Sequence, residues 1–496
     1  MLGLGAVSSA AQADALGQLR RSVFKIHLIS EDPDFQNPWN MQPTASSTGT
    51  GFYIGKHRIL TNAHVCSNAR YITLQRDGDA KAVPARVEFI AHDADLAILT
   101  VEDKTYFQDV RALEFGGLPK LRSPVSAIGY PLGGEQLSVT EGIVSRLGYR
   151  TYVHSGVKNH LLIQVDSAIN PGNSGGPVVQ RGQVIGVAFQ SFVNAEATGY
   201  VIPVVVVKRF LKDIEDGRYD GHPDEGLTVQ DGALSNPQTA EWHGIKPSEG
   251  GVKVATVQRT APTFGKILPG DVILAVDKRP VGVDGRIDFQ GERVEFSVLF
   301  DLRQMGETVT YSIVRDRERL RVPVVVAPST PGYRQSNVYG RHPRFFVWGG
   351  LVFEALSRDL LTSFGRNWFR TAPATLRYAH QFGAVDEDWS GLEDIVVLIG
   401  VLPHPVNTWI SNQVNGVLTT IDGEKVTSLA QAKRLLESAR GEYQLLEFAG
   451  GLNPLALNRD QVVKSQAGII KKYGIDPPEW FLTEAMEQNA PAEGKQ

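Results

Sequence analysis

The sequence predicts a mostly β protein: two small antiparallel barrels or sandwiches come first, followed by two compact α+β units. Three observations carry that prediction. About a dozen short apolar runs, separated by polar breaks, crowd the first part of the chain. Fifty glycines and 27 prolines among 496 residues supply turns at a density that suits sheets better than helical bundles. A strand–turn–strand phrase also recurs, as Gly270-Asp-Val-Ile-Leu-Ala-Val-Asp277 through Val281 and Asn415-Gly-Val-Leu-Thr-Thr-Ile-Asp422 through Val426. Each copy leads toward a helical stretch, which marks a weak internal repeat.

Taken in order, residues 1–20 stand apart. Met1 to Ala13 is apolar and small, and Ala11-Gln12-Ala13 before Asp14 has the A-x-A form of a secretory cleavage site without the basic start of a leader. It reads as an export signal or as a fraying tail. Export would mean a periplasmic location in a bacterium, whereas in a plant or alga the same segment suits a trimmed organellar protein. Residues 21–212 form the strand-rich domain. Its first half has runs at Val23–Leu28, Gly51–Ile54, Ile59–Leu60, Arg70–Leu74, Ala85–Ile90 and Leu96–Val101. Its second half has them at Pro124–Ile128, Leu137–Ser145, Leu161–Val165, Gly176–Val179, Val184–Phe189 and Thr198–Ile202. A helix is expected at Val205–Leu211, and Ile214–Glu225, rich in Asp, Gly and Pro, reads as a linker. The unit 226–326 has strands near Gly251–Val257, Val272–Val276, Thr308–Val314 and Arg319–Val326, and a helix near Val294–Met305. The unit 344–473 follows a Pro/Ser/Gly-rich connection. It carries a long insertion between Phe353 and Asp394, a helix over Leu429–Ala439 and a closing helix over Gln461–Tyr473, and 474–496 reads as a tail.

Composition narrows the function. Fifty basic and 54 acidic residues nearly cancel, and no basic stripe points to nucleic acid. No apolar run reaches the length of a membrane span, so no integral membrane segment is expected. Gly133-Gly134-Glu135-Gln136 lacks the lysine and hydroxyl of a phosphate loop. No His, Cys and carboxylate cluster has metal-ligand spacing, so neither a metal nor another cofactor is expected. The one cysteine, Cys66, forms no intrachain disulfide and reads as a packed residue.

The chemistry concentrates in the first domain. Gly172-Asn173-Ser174-Gly175-Gly176-Pro177 sets a serine among glycines, where the backbone can turn tightly and aim successive N–H groups at one point. Serine needs a base to take its proton. His64, after Thr61-Asn62-Ala63, can serve as that base, and Asp95, opening the apolar run Leu96–Leu99, can hold its Nδ1–H. The amides of Gly172 and Ser174 would form an oxyanion hole. Each residue alone has an ordinary explanation as a turn serine, a packing histidine or a turn-capping aspartate. Asp93 competes with Asp95 and is expected to face solvent. The joint pattern makes peptide-bond hydrolysis the leading reading.

Thr61-Asn-Ala-His64, Asp95-Leu-Ala97 and Asp166-Ser-Ala-Ile-Asn-Pro-Gly-Asn-Ser-Gly-Gly-Pro177 resemble the Deg/HtrA (Do-like) serine endopeptidases across the whole first domain. The resemblance implies a chymotrypsin-like double β-barrel, with His64 as general base, Asp95 as orienting carboxylate and Ser174 as nucleophile. It places Gly172, Asn173 and Ser174 in the oxyanion loop and Ala188–Thr198 in a specificity loop, with small or medium aliphatic residues preferred before the cut. It further implies two PDZ-like domains behind the protease, marked by Leu268-Pro-Gly-Asp271. Gly226, Leu227, Thr228 and Val229 are the candidates for the peptide-carboxylate loop of the first. The second, with Trp348-Gly-Gly-Leu-Val-Phe353, looks like the divergent second PDZ of plant-type members, expected to serve assembly or cover rather than C-terminus binding. The function so implied is ATP-independent degradation of unfolded or damaged proteins, with unfolded or C-terminally exposed polypeptides as partners and a trimer-based homo-oligomer contacting around Phe24 and through the PDZ units. The alternative from another class is a peptide-binding chaperone or scaffold with a resting protease domain. A small-ester hydrolase is disfavoured by the peptide-binding units.

Overall fold

The computed structural model describes residues 17–481 except 18, 132–133, 135, 192–198, 247, 329–336, 338, 366, 384–385, 409 and 411. The N-terminal cleavage motif, most of the specificity loop and the end of the tail lie outside the described residues. The described residues fall into two units, one drawn from Met1–Ser30 and Ala45–Pro331, the other from Glu31–Thr44 and Gly332–Gln496.

The first unit opens with two closed barrels of six strands each. Strands β1 (Val23–Ser30), β2 (Ala45–Tyr53), β3 (Ile59–Thr61), β4 (Ala69–Arg76), β5 (Val83–Ala91) and β6 (Leu96–Thr100) close in the order β1-β2-β3-β6-β5-β4. Strands β7 (Pro124–Gly129), β8 (Ser138–Thr151), β9 (Asn159–Val165), β10 (Pro177–Gln180), β11 (Gln183–Ser191) and β12 (Gly199–Pro203) repeat that connectivity as β7-β8-β9-β12-β11-β10. Alternation explains how each barrel fills. Phe24, Ile26, Leu28, Ile72, Leu74, Ala97 and Leu99 turn into the first barrel, and Val125, Ala127, Ile163, Val165 and Val178 into the second. The intervening positions Leu60, Leu96, Ile98, Ile128 and Leu162 face a separate cluster, so both faces of the central strands are buried. Phe24, expected at an assembly contact, is fully buried against Tyr106 and Phe107.

A third sheet completes this unit: β13 (Leu227–Gln230), β14 (Val252–Val257), β15 (Val272–Val276), β16 (Arg279–Pro280), β19 (Thr308–Arg315) and β20 (Glu318–Val325), beside the hairpin β17 (Arg286–Phe289) and β18 (Glu292–Glu295). The expected helix from Val294 to Met305 shrinks to Val298–Asp301. The reason is the Gln290-Gly291 pair, with φ of 56° and 88°, which makes a two-residue hairpin and draws 292–295 into a strand. Among the described residues, strand β13 lies at the sheet's edge and pairs only with β14.

The second unit is built on the strands β21 (Phe345–Trp348), β22 (Leu351–Ala355), β23 (Val396–Val401), β24 (Gly416–Ile421), β25 (Glu424–Lys425), β26 (Tyr443–Phe448), β27 (Leu455–Asn458) and β28 (Glu479–Trp480). They form one long sheet in the order β27-β26-β24-β23-β22-β21-β28, with β25 pairing β24. The internal repeat is visible in backbone angles. Gly270 and Asn415 both have positive φ, as do Asp277-Lys278 and Asp422-Gly423, which turn β15 into β16 and β24 into β25. The insertion folds as short helices at Arg358–Thr362, Trp368–Thr371 and Ala374–Phe382. Leu360, Leu361, Leu376 and Ala379 cover one sheet face, while the helix Leu429–Ser438 covers the other through Leu429, Ala432 and Leu436. The unit reaches past the boundary drawn from sequence at Tyr473, because Ile475 is buried and β28 pairs with β21.

Candidate active site

The site lies where the two barrels meet. Asp95 ends the turn into β6 with φ of 52°, a left-handed conformation that a short polar side chain tolerates. That turn aims its carboxylate back at the Thr61-Asn62-Ala63-His64 segment following β3. One oxygen accepts the His64 backbone N–H at 2.9 Å and the other meets Nδ1 of the ring at 2.8 Å. Asn62 Nδ2 donates to the Asp95 carbonyl at 2.8 Å. The carboxylate therefore fixes the main chain and ring of His64 together, with the hydrogen on Nδ1 and the Nε2 lone pair left for proton transfer.

The opposing wall comes from the second barrel. Gly172 has φ of 99°, and the Asn173 N–H closes on the Asn170 carbonyl at 3.0 Å; with Pro171 second and Gly172 third, this is the residue pattern of a type II turn. The Asn173 amide is thus engaged, whereas the Gly172 and Ser174 amides have no backbone acceptor among the described residues. The two walls are locked by Thr50 on β2. Its N–H donates to the Ser174 carbonyl at 2.9 Å, and its hydroxyl donates to the Gly172 carbonyl at 2.7 Å while accepting the Tyr130 N–H at 3.0 Å. Gly175 is wedged in the seam. A Cβ there would sit 2.1 Å from the Thr50 carbonyl oxygen and 2.2 Å from Thr61 Oγ1. Ser174 is thus held next to the strand end that carries His64. Its hydroxyl donates to the Phe189 carbonyl at 3.2 Å, rather than to the imidazole.

The electrostatics favour a base at His64. Burial alone would pull its pKa down, but the Asp95 charge and hydrogen bond outweigh burial and hold it above the ordinary value of 6.5. Burial pushes Asp95 up, yet the charges of His64 and His154 and its hydrogen bonds with His64 bring it below the usual carboxylate value. His154, with its ring centre 6.1 Å from that of His64, is taken by burial down to about 4, so it adds no charge at neutral pH. Burial drives the Cys66 thiol up and its sulfur donates to the Asn62 carbonyl, so it is a packed residue and no second nucleophile.

Asp93 does not face solvent as the sequence reading expected. Its carboxylate takes the Tyr219 hydroxyl at 2.6 Å and the His222 backbone N–H at 2.7 Å; burial pushes its pKa up, but the charge of His222, these two bonds and the charge of His160 outweigh burial and hold it at about 2. It anchors the segment that leads to the third sheet, leaving Asp95 as the aspartate at His64. Of the candidate peptide-carboxylate loop, Gly226 has φ of 65° and Leu227, Thr228 and Val229 form β13 at the open sheet edge. Sequence reasoning missed Thr50, whose role depends on a contact spanning more than a hundred residues, and His154, which no local pattern marks.

A trypsin-like peptidase domain signature matches residues 49–187 and a PDZ domain signature matches residues 335–479. Protease Do-like 2, chloroplastic, of Arabidopsis thaliana is 34% identical over 461 residues, spanning 92% of this chain and 74% of that protein. Protease Do-like 4, mitochondrial, of the same plant is 33% identical over 344 residues, spanning 69% of this chain and 66% of the relative. Among solved structures, an HtrA-type protease AlgW with a tripeptide is 26% identical with a TM-score of 0.50, covering 64% of this chain and 98% of that one.

Proposed function

The chain belongs to the Deg/HtrA (Do-like) family of serine endopeptidases, and on that premise we propose that it cuts unfolded or damaged polypeptides, without ATP, through an acyl-enzyme on Ser174. As the Ser174 oxygen attacks the scissile carbonyl, its proton passes to His64 Nε2. The imidazolium so formed is stabilised by Asp95, and the carbonyl oxygen, now negative, is met by the N–H groups of Gly172 and Ser174. His64 then returns the proton to the leaving amine, and water repeats the sequence to free the enzyme. The observation that carries this reading is the two-point hold of Asp95 on His64, set against a serine loop locked to the same seam by Thr50.

The third sheet, with β13 open at its edge, is assigned as a peptide-binding regulatory domain in which an extended C-terminus adds beside β13 and its carboxylate meets the Gly226–Val229 loop. A homo-oligomer built on trimers is part of the proposal. Ile29 and Tyr71, exposed cross-strand partners on the first barrel, offer apolar surface for its contacts. Relatives bearing chloroplastic and mitochondrial names support an organellar location. N-terminal sequencing of the native protein tests it, and a mature start close to Asp14 is expected.

The Ser174 hydroxyl resting on Phe189 favours a second reading, in which the protease is idle until a ligand turns the serine and the chain otherwise holds unfolded peptides. Digestion of β-casein without nucleotide separates the two. Cleavage by wild type and none by Ser174→Ala supports the endopeptidase, while equal cleavage by both overturns the assignment of Ser174. Absent cleavage with aggregation still suppressed supports the holding role.

A further inference from the structure

Outside the active site, the fold brings His160, His222 and Asp301 into one buried cluster. His160 comes from β9 of the second barrel, His222 from the segment after the helix Val204–Asp213, and Asp301 from the short helix Val298–Asp301. The Nδ1 atoms of both histidines lie 2.9 Å from the same Asp301 oxygen, Oδ1. All three candidate ligand atoms fall within 4.8 Å of one another.

A count of donors and acceptors leaves room for a cation. His160 Nε2 is 2.9 Å from the Asp93 carbonyl oxygen, an acceptor only, so this nitrogen carries a hydrogen. His160 Nδ1 lies at hydrogen-bond distance from a carboxylate oxygen, and between those two lone pairs there must sit either a second hydrogen on the ring or a metal cation. Asp301 Oδ2 and His222 Nε2 are buried with no hydrogen-bond partner among the described residues, which is costly in a dry interior. One cation shared by His160 Nδ1, His222 Nδ1 and Asp301 takes up their lone pairs and gives Asp301 Oδ2 a partner, while the His222 Nε2–H stays without an acceptor among the described residues. The Asp93 carbonyl on the far nitrogen of His160 is the kind of outer partner that orients a metal-bound imidazole.

We propose that His160, His222 and Asp301 form a structural site for a divalent transition-metal ion, zinc(II) foremost, that clamps the third-sheet domain to the second barrel and the linker. Two imidazole nitrogens and a carboxylate are a zinc donor set. A tetrahedron with bonds of about 2.0–2.1 Å spaces its ligand atoms by roughly 3.3 Å, so the pairs at 2.9 Å need to open by only a few tenths of an ångström. The second Asp301 oxygen or a water takes the remaining position. The clamp sits against the turn bearing Asp95, because His160 holds the Asp93 carbonyl and Asp93 holds the His222 amide.

The test uses the full chain as Ser174→Ala, which prevents self-digestion, stripped with a chelator and titrated with zinc. Expected are one zinc per chain by elemental analysis, a thermal midpoint that rises on zinc addition, and the visible absorption of tetrahedral cobalt(II) on cobalt substitution. Asp301→Asn and His222→Phe should each lower zinc affinity tenfold or more, while His404→Gln leaves it unchanged. A Ser174→Ala parent chain that holds no zinc and melts identically with and without it overturns the proposal, because the cluster then holds a proton in the cation's place. Undiminished zinc binding by both folded variants overturns it equally. Should neither variant fold, the zinc stoichiometry and cobalt spectrum of the parent chain decide alone.

Discussion

Replacing Asp95 by asparagine tests the logic of the site at its narrowest point. The two carboxylate oxygens accept two donors, the His64 amide at 2.9 Å and Nδ1 at 2.8 Å. An asparagine has one acceptor and one donor end. With its NH2 toward Nδ1, the ring must carry hydrogen on Nε2 and can no longer take the serine proton. With its NH2 toward the His64 amide, two donors collide and a buried N–H goes unpaired, at about 1–3 kcal/mol. The first arrangement accounts for a loss of about 10⁴ in kcat, or about 5.4 kcal/mol of transition-state stabilisation at 1.36 kcal/mol per decade. The variant should fold, bind casein and keep KM within a few-fold. The acid limb of the residual activity should also move. In wild type His64 titrates above 6.5 because the Asp95 charge overcomes burial, so activity, which needs the neutral ring, rises through a pH above 6.5. Without that charge burial dominates and the limb moves down. Initial rates on a quenched peptide from pH 5 to 9 read both effects. Activity within tenfold of wild type, or an unmoved acid limb, would refute the reasoning.

Other perturbations follow from the same structure. Gly175→Ala places a Cβ 2.1 Å from the Thr50 carbonyl and should cost about 3–5 kcal/mol in urea unfolding, whereas Gly117→Ala, with nothing within 4 Å, should stay within about 0.5 kcal/mol. Thr50→Val removes the hydroxyl bonded to Gly172 and Tyr130 and should lower kcat roughly 5- to 30-fold with little change in KM, read by steady-state kinetics. Glu225 is buried between Ser297 and Tyr311, and burial lifts it from 4.5 to about 7. Its folded pKa exceeds the unfolded one, so the folded state binds the extra proton and stability falls as pH rises from 4.5 through 7. Glu225→Gln should therefore gain on wild type by about 3 kcal/mol between pH 4.5 and 8.5; parallel urea titrations showing a constant gap would contradict this.

The legibility of this chain follows the range of its interactions. The blocks around His64, Asp95 and Ser174 are short and carry their own turn chemistry, so the tight glycine turn at Ser174 and the apolar β6 opened by Asp95 were readable as residues in a row, while the positive φ at Asp95 was not. The barrels were readable because alternation at 24/26/28 and 163/165 is local. The hairpin at Gln290-Gly291 was also written locally, yet the apolar spacing through 294–305 imitates a helix and hid it. What was out of reach depends on distant partners. Thr50 matters through Gly172, Asp93 through Tyr219 and His222, and His160 meets Asp301 across 141 positions. No window on the sequence brings those side chains together, so their spacing carries no metal-ligand pattern.

Covalent trapping of the nucleophile tests the central claim most directly. Folded protein is treated with a fluorophosphonate while it digests denatured casein, and the modified peptide is located by mass spectrometry. One adduct is expected, on Ser174, that abolishes digestion and disappears in His64→Ala. Casein cut at full rate with Ser174 unmodified, or equal labelling without the imidazole, would contradict it.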